Sequence, residues 1–176
     1  MKPIYVDYQA TTPLAPEAAA AMRPWLDDKF ANPHSSHRLG REAAAAVEVA
    51  REHVSAGLGA SAAEGNLYFT GSATEAINWA VKGALARLPQ NRRRIVTLAT
   101  EHAAVLDSVE WVGRLDAEID ILPVGADGIV DLDLAAERIT SRTGIFAAML
   151  VNNEIGVIQP VAQLAELARA AGALFL

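Results

Sequence analysis

The 176-residue chain contains no cysteine. A disulfide framework, a cysteine-ligated zinc or iron–sulfur site and a thiol nucleophile are therefore absent from it. Lysine is scarce and occurs only at Lys2, Lys29 and Lys82. No histidine pair stands at metal-binding spacing on a helix and no His-Glu-x-x-His occurs, so no metal site is expected. Basic side chains number 15 against 21 acidic ones, for a formal charge of −6. A general nucleic-acid binder carries a basic stripe, so nucleic acid is not expected as a partner. The longest apolar runs, such as Ile145–Val151, are far shorter than the ~20 residues of a membrane-spanning helix. The opening Met-Lys-Pro-Ile-Tyr-Val-Asp has no charged segment followed by a long apolar one, and a cytoplasmic location is expected.

What is present is alanine-rich and apolar, with 52% hydrophobic residues, enough for one domain with a substantial core. Pro16 suits the first turn of a helix that Glu17-Ala-Ala-Ala-Ala-Met22 continues, and Pro24 is expected to kink or break it. Asn32-Pro-His-Ser-Ser36 reads as a turn. From Arg38 to about Leu58 a long helix is predicted, with Val47, Ala50, Val54 and Leu58 on one face and Gly57 and Gly59 closing it. Beyond it the pattern alternates. Strands are predicted at 66–70, 94–99, 118–124, 145–151 and 173–176, with helices at 74–87, 102–115, 131–139 and 159–171. Such alternation means an α/β fold: a mostly parallel sheet with helices on both faces. The chain stops inside an apolar strand, Ala173–Leu176, from which we expect it to be the first part of something longer.

Ligands of open α/β sheets bind at the carboxyl ends of the strands, so each loop after a strand is a candidate. Phe69-Thr-Gly-Ser-Ala-Thr-Glu75 offers small residues and a helix N-terminus to an anion, yet Ser72 and Glu75 equally fit an ordinary capping box. Thr100-Glu101-His102 puts a histidine where it can stack or transfer protons, or simply start a helix. Val151-Asn152-Asn153-Glu154 is polar where the chain leaves the core, and its carboxamides can serve a ligand or a turn. His34 and His37 share the Asn-Pro loop and could act in catalysis, yet loop histidines are usually only solvated. Arg92-Arg-Arg94 reads as a solvated loop before a strand, with a phosphate patch as the alternative.

Taken in order, five motifs occur: Asp7-Tyr-Gln-Ala-Thr-Thr-Pro13, Asn32-Pro-x-Ser-x-His37-x-x-Gly40, Phe69–Glu75, Thr100-Glu-His-x-Ala-Val-Leu106 and Val151-Asn-Asn-Glu-Ile-Gly-Val157. This series resembles the amino-terminal portion of the NifS/IscS-type cysteine desulfurases, class V aminotransferases among the fold-type I pyridoxal phosphate enzymes. The resemblance implies a large cofactor-binding domain, with residues 1–13 belonging to the small domain and 14–176 forming the first part of the large one. It implies pyridoxal 5′-phosphate as cofactor, with Ala73 and Thr74 at its phosphate and His102 stacked on its ring and shuttling protons. Asn153 would stand near the phenolic oxygen and the substrate carboxylate, and Ala10 and Thr11 near the substrate. The implied reaction converts L-cysteine to L-alanine and passes sulfur to an enzyme cysteine, feeding iron–sulfur cluster or thiocofactor assembly. The family is dimeric, so a homodimer serving a sulfur acceptor or scaffold protein is expected.

Two departures qualify the resemblance. The family usually reads Ser-Gly where this chain has Gly71-Ser72, and a positive φ at the second position would strain a serine. More broadly, the family's Asp-x-x-Gln segment, its Schiff-base lysine and its sulfur-accepting cysteine do not occur here. Lys82 lies two turns past the phosphate position and is no replacement. These 176 residues alone are thus expected to be inactive. A non-catalytic assembly or partner-binding module, and part of another class V enzyme such as an aminotransferase or selenocysteine lyase, are the alternatives.

Overall fold

The computed structural model describes residues 3–5, 8, 11–59 and 67–176. They divide into two compact units, Met1–Phe69 and Thr70–Leu176.

The first unit is built on two helices, α1 (Pro16–Asp27) and α2 (Arg38–Gly57). The expected break at Pro24 does not occur, and α1 runs on to Asp27. Proline removes one hydrogen bond to the carbonyl four residues back, and exposed Ala20 can give that carbonyl to water. Between the helices, Asn32 organises a turn: its side chain accepts the His34 N–H at 2.9 Å and its carbonyl the Ser35 N–H at 3.0 Å. His37 is the N-cap of α2, accepting the Gly40 N–H on Nδ1 at 3.2 Å, so a structural task occupies this histidine. A Cβ on Gly40 would come within 2.2 Å of the Ser35 carbonyl oxygen, which is why glycine ends this motif. The apolar face expected on α2 exists in sequence but is not buried: Val47, Ala50, Val54 and Leu58 are all exposed.

The second unit begins with α3 (Ala73–Arg87) and a short 3₁₀ turn, Gln90–Arg92. Then come β1 (Arg94–Leu98), α4 (Ala103–Gly113), β2 (Glu118–Leu122), α5 (Leu132–Arg138), β3 (Thr143–Ala147), α6 (Val161–Ala170) and β4 (Leu174–Phe175). The four strands are parallel, in the order β2-β1-β3-β4. Side chains alternate across the sheet, as the two-residue period of a strand requires. Ile95, Ile145 and Ala147 pack with Val81 and Leu85 of α3 and Val105, Val109 and Val112 of α4. Val96, Leu98 and Phe146 pack with Ala135 of α5 and Leu164 and Ala168 of α6 on the other face. The expected α/β sheet with helices on both faces is what forms.

Three local expectations are corrected. Leu67–Thr70 is irregular, not a strand, because it joins no hydrogen-bonded ladder, and Asn66 lies outside the described residues. The strand expected at 145–151 is Thr143–Ala147, and Leu150 and Val151 belong to an exposed loop. The apolar run continued past the point where the ladder stopped. The arginine run is neither a solvated loop nor a phosphate patch. Arg92 donates to the Thr143 and Ala171 carbonyls at 2.8 and 3.0 Å, Arg93 pairs with Asp116, and Arg94 pairs with Glu118 and Asp120. The acids that balance these cations come from β2 and the turn before it, which periodicity cannot foresee.

Candidate functional site

The strand order fixes where a ligand should sit. From β1 the chain crosses to β2 on one side, and from β3 it crosses to β4 on the other. The exit loops of adjacent β1 and β3 therefore diverge and leave a crevice between them, the usual ligand position of an open α/β sheet. A cavity of about 300 Å³ occupies that point. Thr100, Glu101 and His102 line it from the β1 side, and Asn152, Asn153, Glu154 and Ile155 from the β3 side. Its volume is at the lower end of the roughly 300–1,000 Å³ typical of small-molecule pockets.

His102 is exposed and is the N-cap of α4. Its Nδ1 accepts the Ala104 N–H at 3.0 Å, so the ring is held and a neutral imidazole carries its proton on Nε2. The two readings of this histidine are thus compatible: one nitrogen starts a helix and the other stays free. The two asparagines separate cleanly. Asn152 is buried, donates to the Thr100 carbonyl at 2.7 Å and accepts the Glu154 and Ile155 N–H groups at 2.8 and 2.9 Å. Asn153 is exposed at the cavity, its carboxamide uncommitted among the described residues.

The sequence assigned no role to Glu101 and left Asn152 open between a ligand and a turn; both are buried beside the cavity. Glu101 is buried, and its Oε1 accepts the Met149 N–H at 2.7 Å. Burial pushes its carboxyl above the ordinary value, while the Met149 N–H and the neighbouring His102 pull it partly back. A carboxylate directly after an apolar strand was the available signal. Thr100 Oγ1, also at the cavity, is buried and has no hydrogen-bond partner among the described residues.

Ala73 and Thr74 do not line this cavity; they open α3. That helix leads back to the start of β1, so its N-terminus lies toward the carboxyl edge of the sheet, as crossover geometry requires. Ser72 accepts the Glu75 N–H at 3.1 Å, and Glu75 accepts the Gly71 N–H at 2.7 Å. The capping reading of this turn is what these bonds show. The capping residues satisfy Gly71 and Glu75, while the Ala73 and Thr74 N–H groups, in the first turn, have no acceptor within the helix. Ser72 has φ −166°, ordinary extended backbone, so the Gly71-Ser72 order introduces no strain. Thr11 is exposed in the first unit, where its carbonyl accepts the Tyr5 hydroxyl at 3.2 Å. Ala10 lies outside the described residues. Lys82 sits 4.2 Å from the centre of the Trp111 ring, held between α3 and α4.

The sequence matches the family Aminotransferase class-V over residues 4–176. The chain belongs to the class-V aminotransferases. Among members of that family, the cysteine desulfurase IscS of Rickettsia akari (strain Hartford) is 43% identical over 174 residues, spanning 98% of this chain and 42% of the relative. The solved structure of a NifS-like protein superposes with a TM-score of 0.89 at 32% identity, covering 94% of this chain and 46% of that one. SspA in complex with cysteine superposes with a TM-score of 0.86 at 31% identity, covering 97% and 49% respectively. This class-V chain therefore spans less than half the length of each of these relatives. Among the described residues no helix is long and apolar enough to cross a membrane, and no cluster of metal-ligating side chains occurs.

Proposed function

We propose that the chain is the amino-terminal part of a cysteine desulfurase. The supporting observation is the crevice between β1 and β3, which His102 and Asn153 both face. The reaction assigned to the whole enzyme breaks the C–S bond of L-cysteine. The carbon fragment leaves as L-alanine, and the sulfur atom joins an enzyme thiol as a persulfide. Both that thiol and the cofactor-anchoring lysine would come from residues this chain does not contain.

Pyridoxal 5′-phosphate fits the residues present. The α3 N-terminus offers the N–H groups of Ala73 and Thr74 to a phosphate. A flat ring can lie against the fixed imidazole of His102. When bound, the cofactor supplies an electron sink for the substrate α-carbon. With Nδ1 accepting the Ala104 N–H, His102 holds its proton on Nε2 and donates a hydrogen bond into the crevice; it would act as a base at Nε2 only in the other tautomer, with the proton on Nδ1 and the Ala104 N–H released. Asn153 offers its carboxamide to the phenolic oxygen and to the substrate carboxylate. Ala10 and Thr11 belong to the loop assigned to the substrate. L-cysteine is the substrate we assign, supported by the cysteine-bound SspA structure.

On this reading residues 1–13 belong to the small domain of the complete enzyme and 14–176 to its large domain. The enzyme is a cytoplasmic homodimer that passes sulfur to an acceptor or scaffold protein for iron–sulfur cluster or thiocofactor assembly. The test is expression of the complete reading frame that carries these residues, followed by incubation with pyridoxal 5′-phosphate and L-cysteine. Alanine and an enzyme persulfide are expected in equal amounts. Turnover of selenocysteine alone, or amino-group transfer, would assign another class-V activity. Absence of all turnover with retained partner binding would mark a non-catalytic module.

A further inference from the structure

The loops after β1 and β3 share one design. In each, a buried residue immediately precedes the exposed one that faces the cavity: Glu101 before His102, and Asn152 before Asn153. Each buried side chain reaches across to the backbone of the other loop. Glu101 Oε1 accepts the Met149 N–H at 2.7 Å, and Asn152 Nδ2 donates to the Thr100 carbonyl at 2.7 Å. The bonds bridge separations of 48 and 52 residues, so no local turn chemistry explains them. Nor does the sheet: β1 ends at Leu98 and β3 at Ala147, so both bonds lie beyond the ladder that holds the strands in register. Asn152 does a second job at the same time, since its Oδ1 gathers the Glu154 and Ile155 N–H groups into the turn that presents Asn153.

We propose that Glu101 and Asn152 form a reciprocal brace that positions His102 and Asn153 on opposite walls of the cofactor crevice. The proposal rests on the cofactor reading above. A side chain one residue from a fixed backbone atom has little freedom to drift, and both walls are fixed against each other, not separately. Sites whose supporting shell is loose lose function without losing fold. The brace therefore acts on how the cofactor ring is held through the bonds that Glu101 and Asn152 make to the backbone of the facing loop.

The test uses the protein expressed from its complete reading frame and loaded with pyridoxal 5′-phosphate. Glu101→Ala, Asn152→Ala and Glu101→Gln are compared by the circular dichroism of the cofactor absorption band, which reports how asymmetrically the ring is held. Hydrogen exchange at the Met149 amide is read in parallel. Loss of the band is expected in Glu101→Ala and Asn152→Ala, and its retention in Glu101→Gln, whose amide oxygen still accepts the Met149 N–H. Met149 exchange should quicken about tenfold in Glu101→Ala alone, as befits one lost hydrogen bond. Should Glu101→Ala fail to fold, Glu101→Asp, shortened by one methylene, is expected to lose the band in its place. A normal wild-type band left intact by Glu101→Ala and Asn152→Ala overturns the brace and spares the functional reading. Loss of the band in Glu101→Gln also overturns it, because charge would then matter and the hydrogen bond would not. A wild-type protein that shows no cofactor band defeats the functional reading itself, and the brace falls with it.

Discussion

The two units are both rich in alanine and helix, yet they are held together differently. Among the described residues, Ala43 is the one buried hydrophobic residue of the first unit, while Met22, Trp25, Leu26, Phe30, Val47 and Val54 are all exposed there. The second unit buries Ile95, Leu98, Leu122, Phe146 and Leu164 almost completely. Helix α1 rests on propensity, with Pro16 in its first turn, and α2 on propensity and the His37 cap, whereas the sheet and its helices are fixed by what they cover. Helical stability in proteins comes mostly from packing of an apolar face, so the second unit should carry nearly all of the cooperative unfolding free energy. A site that needs positions held to a fraction of an ångström can be built only on the second kind of structure, and the crevice between β1 and β3 is.

The contrast is broken most severely by removing a large side chain from each unit. Phe146→Ala should cost about 3–5 kcal/mol, because the ring is fully buried between the sheet and α6. Leu26→Ala, on exposed α1, should stay within about 0.5 kcal/mol. Urea unfolding followed by far-ultraviolet circular dichroism measures both. Similar losses in the two variants would show that the first unit has a core after all.

A smaller effect separates buried polar stapling from surface turns. Gln159 is buried, accepting the Val130 N–H at 3.1 Å and donating to the Gly128 carbonyl at 2.7 Å. Gln159→Leu leaves both backbone groups unpaired in the second unit and should cost about 2–3 kcal/mol in the same unfolding experiment. In the first unit the nearest counterpart is steric. Gly40→Ala drives a Cβ against the Ser35 and Asn32 carbonyls and should cost about 1–2 kcal/mol, measured as lost helix content in α2. Gly57→Ala meets nothing within 4 Å, so a gain of about 0.5–1 kcal/mol in α2 is the matching control. A destabilised Gly57→Ala would mean that α2 is packed where it looks open.

The same division explains what could be read from the sequence. The parallel sheet, its helices and the loops after β1 and β3 followed from periodicity, because in the second unit burial and pattern largely agree. Val47, Ala50, Val54 and Leu58 show the opposite case: the pattern predicts a buried face, but burial needs a partner surface that a local pattern does not contain. The strand expected at 145–151 failed for a related reason, since apolar character extends beyond the ladder that defines a strand. At the site, His102 and Asn153 could be named from position and family resemblance. Their supports could not, because the bonds of Glu101 to Met149 and Asn152 to Thr100 join residues far apart in the chain.

The smallest expected effect concerns the one buried acid among the described residues, Glu101, which a unit without a core could not have harboured. Its carboxyl is pushed above the ordinary value chiefly by burial, with the Met149 hydrogen bond and His102 opposing. Below the ordinary carboxylate range Glu101 is protonated in both the folded and the unfolded chain, and its ionisation contributes nothing to stability. As pH rises through that range the unfolded chain releases its proton first. Stability then falls until the folded carboxyl also ionises, and stays at the lower level above that point. The acid therefore costs stability at neutral pH, as a group does when its position serves a site more than a fold. Glu101→Gln keeps an oxygen for the Met149 N–H and removes the titration. It should match the wild type in acid and exceed it at neutral pH, with the gap opening across and just above the ordinary carboxylate range. Thermal melts at a series of pH values check this. A variant less stable than the wild type at neutral pH would mean that the charged hydrogen bond to Met149 outweighs the burial penalty, reversing the sign assigned to Glu101.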